Sequence, residues 1–89
     1  MFATFTDWEF ADMDGMISTG TAMWPKVKAA GALSFKATAT GANTARTMIV
    51  WPDGATAQAA IDGLRAAAME MTDTKATATT AGELMLDFS

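Results

Sequence analysis

The run Thr44-Ala-Arg-Thr-Met-Ile-Val-Trp-Pro-Asp-Gly54 passes directly into Ala55-Thr-Ala-Gln-Ala-Ala-Ile-Asp-Gly-Leu-Arg-Ala-Ala-Ala68. Its first half is rich in β-branched and aromatic residues and stops at Pro52, which cannot donate to a sheet ladder. Asp53 then stands where a helix N-cap belongs. Ala57, Ala60, Ile61, Leu64, Ala68 and Met71 recur at helical spacing beyond it. The stretch therefore predicts a strand, a proline stop and a capped helix whose mostly alanine face lies close to what it covers.

Working outward, Leu33 to Thr40 alternates strictly, with Leu33, Phe35, Ala37 and Ala39 against Ser34, Lys36, Thr38 and Thr40. A three-residue loop, Gly41-Ala42-Asn43, would join it to the Thr44–Trp51 strand, with Asn43 in the left-handed region. That register puts Leu33, Phe35, Ile49 and Trp51 on one face, and Ser34, Lys36, Thr38, Arg46, Met48 and Val50 on the other. A two-residue loop would slip the register by one and regroup them.

Upstream, Phe2 to Phe10 reads as a strand with no cleanly polar parity, as expected of a strand covered on both faces. Asp12 is placed to cap a helix carrying Met13, Met16, Ile17, Gly20, Met23, Trp24 and Val27 on one stripe. Pro25 should kink that helix and Gly31 should end it. Downstream, Lys75 to Thr80 and then Glu83 to Phe88 alternate, which reads as a last strand with a bulge or bend at Gly82. The order βαββαβ predicts one α+β domain over residues 1–89, ferredoxin-like: a four-stranded antiparallel sheet with two helices on one face.

At Ile49-Val50-Trp51-Pro52-Asp53 and the alanine-punctuated helix after it, the chain resembles the dimeric α/β-barrel superfamily. That group takes in the antibiotic-biosynthesis-monooxygenase-like, stress-responsive barrel and EthD-like families. The Ala30-Gly31-Ala32-Leu33 helix exit is similar too. The resemblance implies a homodimer whose sheets face each other as a dimeric α/β barrel, with cofactor-free oxygenase or isomerase chemistry among the activities of its members. The histidines that haem-binding and several catalytic members use have no counterpart here, because the chain contains none.

Composition narrows the function classes. The chain has 89 residues, of which 51% are apolar, and no cysteine or histidine. A domain this small buries only roughly 60–65% of its unfolded surface. Without disulfides or a Cys/His zinc site, self-association is the expected source of further burial, so a homodimer is predicted. A net charge of −4 with six scattered bases argues against nucleic acid. No apolar run is long enough to span a membrane, and Met1–Glu9 lacks the regions of a signal peptide, so a cytoplasmic location is expected.

Three constellations bear on chemistry. Asp12-x-Asp14-Gly15 suggests a calcium loop, but its register puts Phe10 and Thr21 where acids are needed, and helix-start carboxylates explain it better. Lys36 and Arg46, with Thr38 and Met48 and with Trp8 beside them, would make a cationic sheet face able to hold a carboxylate; ion pairs with Asp7, Glu9 or Glu83 are the plainer alternative. Trp8, Trp24, Trp51, Met16, Met23 and Met48 would line a cavity for an aromatic molecule or simply fill the core. Ser18, Ser34 and Ser89 have no histidine base, and the glycines fit no phosphate loop. The candidate ligand-binding residues are therefore Arg46, Lys36, Met48, Trp24 and Trp8, with no metal and no cofactor expected. The function expected is binding of a small apolar or aromatic molecule between sheet and helices, with any chemistry cofactor-free, as an oxygenase or isomerase; a non-enzymatic ligand-sensing or structural dimerisation module is the alternative.

Overall fold

The computed structural model describes residues 1–88; Ser89 lies outside the described residues. Its elements are β1 (Phe2–Phe10), α1 (Met13–Ala29), β2 (Ser34–Gly41), β3 (Thr44–Trp51), α2 (Gly54–Met71) and β4 (Thr74–Glu83). The sheet is antiparallel in the order β2-β3-β1-β4, the ferredoxin-like arrangement. It is a single open sheet of four strands and does not close on itself.

Alternation along the two central strands sorts their side chains. Thr4, Thr6, Trp8 and Phe10 of β1 and Ala45, Thr47, Ile49 and Trp51 of β3 are buried on the face that carries the helices. Trp51 is the largest fully buried side chain, at 0% exposure. A buried indole N–H needs an acceptor. Trp51 Nε1 donates to Thr4 Oγ1 at 3.0 Å, and Trp8 Nε1 donates to Thr47 Oγ1 at 2.9 Å. Thr4 and Thr47, on the core parity of β1 and β3, thus serve the two tryptophans.

Both helices start as expected. Asp12 Oδ1 accepts from the Gly15 N–H at 2.6 Å, and Asp53 Oδ1 accepts from the Thr56 N–H at 2.8 Å. The end of α1 is a Schellman motif: Ala32 N–H donates to Val27 O and Gly31 N–H to Lys28 O. Gly31 holds φ +110°, and a Cβ there would sit 2.8 Å from Thr56 Cγ2 of α2. Backbone strain and the clash act together, so Gly31→Ala is expected to cost about 1–3 kcal/mol, read as a lower urea midpoint at unchanged m-value. A midpoint equal to that of the wild type would show that the turn has another conformation.

The structure departs from the sequence reading at several points. The β2–β3 turn has two residues, Ala42 and Asn43, and neither has positive φ. The expected register survives because the pairing skips Thr40, between Ala39↔Ala45 and Gly41↔Thr44. Asn43 acts through its side chain instead, since its Nδ2 donates to the carbonyls of Phe10 and Ala11 and pins the turn to the start of α1. Leu33 precedes β2 and is 55% exposed, so it does not join Phe35 and Ile49 in the core. Met71, placed on the apolar stripe of α2, is exposed at the helix end. The last strand stops at Glu83, and its irregularity falls at Thr77, between Ala76 and Ala78, not at Gly82. Pro25 lies inside α1, as the sequence places it; the Thr21 carbonyl left without its usual donor lies on an exposed turn, where water can serve it.

Candidate functional site

The stripe on α1 is wider than the core can use. Met23 and Val27 are buried with Thr19, and Met16 packs against the same core. Thr19 can be buried because its Oγ1 donates to the Gly15 carbonyl at 2.9 Å. Met13, Ile17, Gly20 and Trp24, one helical step round, face the gap between α1 and the β2–β3 hairpin. Across that gap β2 offers Phe35, Ala37 and Ala39 on its helix-side face, paired with Ile49, Thr47 and Ala45. Ala37 and Ala39 are exposed across the gap from α1.

The result is a groove of about 610 Å³. Met13, Met16, Ile17 and Trp24 form one wall, Phe35 closes one end, and Ala37, Ala39, Ala45 and Thr47 form the floor. Trp24 stacks over Phe35, with ring centroids 6.4 Å apart and planes 20° apart. Gly20 has open space where a side chain would begin, with no heavy atom within 4 Å of an added Cβ. Met16, Gly20, Phe35 and Thr47 also border a void of about 40 Å³ deeper between helices and sheet, which Thr6, Trp8 and Arg65 line as well. None of the side chains lining the groove is titratable.

The five sequence candidates fall on different surfaces. Trp24 lies in the groove wall. Trp8 lies beneath the groove, at the interior void, on the helix side of the sheet. This differs from its grouping with Lys36 and Arg46, because Trp8 pairs with Ala45 and so has the parity opposite to Arg46. Lys36, Arg46 and Met48 share the face without helices, where Lys36 is exposed and Met48 half-buried beside Phe5 and Val50.

On that open face Arg46 is occupied. Its Nε and Nη2 donate to the two Asp7 carboxylate oxygens at 2.8 and 3.1 Å, a bidentate pair across β1 and β3. The hydrogen bonds from Arg46, with its charge, hold the Asp7 carboxyl below its ordinary range. A carboxylate whose pKa is depressed on folding adds stability in full above its unfolded pKa, and this is lost as pH falls through the folded value. Arg46→Gln is therefore expected to lower stability slightly at pH 7 and to flatten its fall below pH ~4. Urea midpoints of the two proteins at pH 7 and pH 3 check this; parallel acid slopes would remove the pair from the account.

The groove residues missed in the sequence, Ile17, Gly20, Ala37 and Ala39, carry a weak signal in retrospect. An apolar helix stripe with a glycine inside it faces an edge strand of alanines, too small to fill the space between them. Among the described residues no group of three or more acidic, histidine or cysteine side chains converges as a metal site would require. No helix among them is long and apolar enough to cross a membrane. The sequence matches no protein-family model and no curated protein.

Proposed function

We propose that the protein binds a small apolar or aromatic molecule in the groove between α1 and the β2–β3 hairpin. The observation that carries this reading is the groove itself: about 610 Å³, walled by Met13, Met16, Ile17, Trp24 and Phe35 and floored by small side chains. That volume lies within the range of about 300–1,000 Å³ of small-molecule sites. Methionines shape themselves to irregular apolar surfaces, and the Trp24–Phe35 pair offers an aromatic face. Because the groove lining holds no acid or base, binding without chemistry is favoured over the oxygenase or isomerase activity implied by the barrel resemblance. Titration with a neutral aromatic probe such as 2-naphthol is expected to saturate with one site per chain; a signal that rises linearly to the solubility limit would refute the reading.

A second reading concerns assembly, and the distribution of apolar surface supports it. The open sheet face carries half-buried Phe5, Met48 and Val50, and the segment after β4 exposes Met85, Leu86 and Phe88 at 93%, 71% and 90%. A homodimer formed over the sheet face would cover Phe5, Met48 and Val50 and give the arrangement of a dimeric α/β barrel. Sedimentation equilibrium at micromolar concentration is expected to return twice the mass of the chain. A monomer at that concentration would overturn the dimer and leave the groove reading standing.

A further inference from the structure

We propose that a second cleft, between α2 and β4, is a binding site for a small carboxylate held by the Arg65 guanidinium. Arg65 lies within α2, and its side chain turns under the helix toward the sheet, leaving 15% of it exposed. Nε donates to Thr6 Oγ1 at 3.0 Å, on the central strand β1. With Nε anchored there, the direction of the planar fork is set, while neither Nη makes a hydrogen bond among the described residues.

The charge is poorly compensated. The acid nearest to Arg65, Asp62 one turn earlier on α2, lies 3.6 Å from Nη1, beyond hydrogen-bond reach, and is 94% exposed. No acid lines the cleft. Burial acts on the Arg65 pKa more strongly than Asp62 does, and pushes it down. The one ion pair of Arg65 among the described residues, to Asp62, is solvent-exposed on its Asp62 side and too long for a hydrogen bond, so an anion that reaches the Nη groups still adds charge-assisted hydrogen bonds.

The cleft matches such an anion. It holds about 180 Å³, the share of roughly six waters at about 30 Å³ each. Gln58 and Thr79 on its walls supply an amide and a hydroxyl, and Phe2, Ile61 and Ala81 supply apolar surface for a short body. A single planar fork pairs two N–H groups with the two oxygens of a carboxylate. No second cation lines the cleft, so a phosphate dianion would be only half neutralised. The cleft opens beside β4, shares Ile61 and Arg65 with the void, and has no lining residue in common with the groove at α1.

The test uses the whole chain labelled with ¹⁵N, in which the two arginines, Arg46 and Arg65, give separate Nε–H signals. Benzoate is expected to shift the Arg65 signal to saturation while Arg46 stays in place, and neutral benzamide is expected to shift neither. Arg65→Gln should weaken benzoate binding at least tenfold, and Thr79→Val, which leaves the guanidinium in place, should weaken it several-fold. Ala39→Leu, on the groove floor and away from both the void and the cleft, should leave it unchanged. Equal, unsaturating shifts at both arginines, undiminished binding in Arg65→Gln, or tighter binding of inorganic phosphate than of benzoate would each overturn the proposal. Should Arg65→Gln fail to fold, the wild-type signals and Thr79→Val still decide it.

Discussion

Trp51→Ala is expected to be the most damaging single substitution in this domain. The side chain is fully buried at the end of β3, in the core that α1 and α2 cover, and its indole N–H is the donor to Thr4. Truncating a buried tryptophan costs about 3–5 kcal/mol through lost transfer energy and the cavity left behind. At about 0.05–0.15 kcal/mol per residue, a domain of this length has a total stability of only about 4–13 kcal/mol. The variant should unfold at far lower urea concentration or fail to fold at all. Thr4→Val separates packing from hydrogen bonding: it keeps the volume but strands the indole N–H, for an expected loss of about 1–3 kcal/mol. Circular dichroism against urea reads both. A Trp51→Ala protein within about 1 kcal/mol of the wild type would mean that this corner of the core is not packed as described.

The second large effect concerns binding and runs opposite to stability. Gly20 sits in α1 at the groove, with open space in front of it. Gly20→Leu should stabilise the helix by roughly 0.5–1 kcal/mol, because glycine inside a helix carries an entropic cost. The new side chain would project over the groove floor beside Trp24 and Phe35 and take the space of the ligand. Binding of 2-naphthol is expected to weaken at least tenfold, about 1.4 kcal/mol. Gly63→Leu is the matched control: Gly63 is also a helical glycine with open space around it, but it lies on α2 away from the groove. It should leave binding unchanged. Loss of binding in both variants, or in neither, would dissociate the groove from the ligand.

Much of the fold is legible in the sequence because local signals agree with one another. Pro52 stops β3, Asp12 and Asp53 cap the helices, Gly31 ends α1, and the element order leads to the ferredoxin-like sheet. The alternation of β2 and β3 gives the hairpin register correctly, although not the loop length behind it. A bulge at Thr40 and a two-residue turn reach the same pairing as three loop residues, and sequence pattern does not distinguish them. The pattern also carries β4 too far, because Leu84, Leu86 and Phe88 keep strand parity without joining the strand pairing of the sheet.

The candidate site is less legible, for a physical reason. Periodicity finds the apolar side of a helix but not how far round that side the core extends. On α1 the stripe divides, with Met23 and Val27 going inward, Ile17 facing the groove, and Met13, Met16 and Trp24 bordering the groove while packing against the core. The division depends on how far α1 stands from β2, a tertiary quantity. Arg46 and Lys36 draw notice as cations on a strand, yet Arg46 is satisfied by Asp7. The arginine with unspent hydrogen-bonding capacity is Arg65, which its alanine-rich helix context makes inconspicuous.

The most direct measurement of groove binding is a ¹H–¹⁵N titration of the wild-type chain with 2-naphthol, followed at its three indole N–H signals. Trp8 and Trp51 donate to Thr47 and Thr4 inside the core, while Trp24 lies in the groove wall over Phe35. The structure predicts a saturable shift of the Trp24 signal, with Trp51 stationary and Trp8, behind the interior void, moving less than Trp24. A titration that leaves Trp24 in place, or shifts all three signals together, would contradict a binding site between α1 and the hairpin.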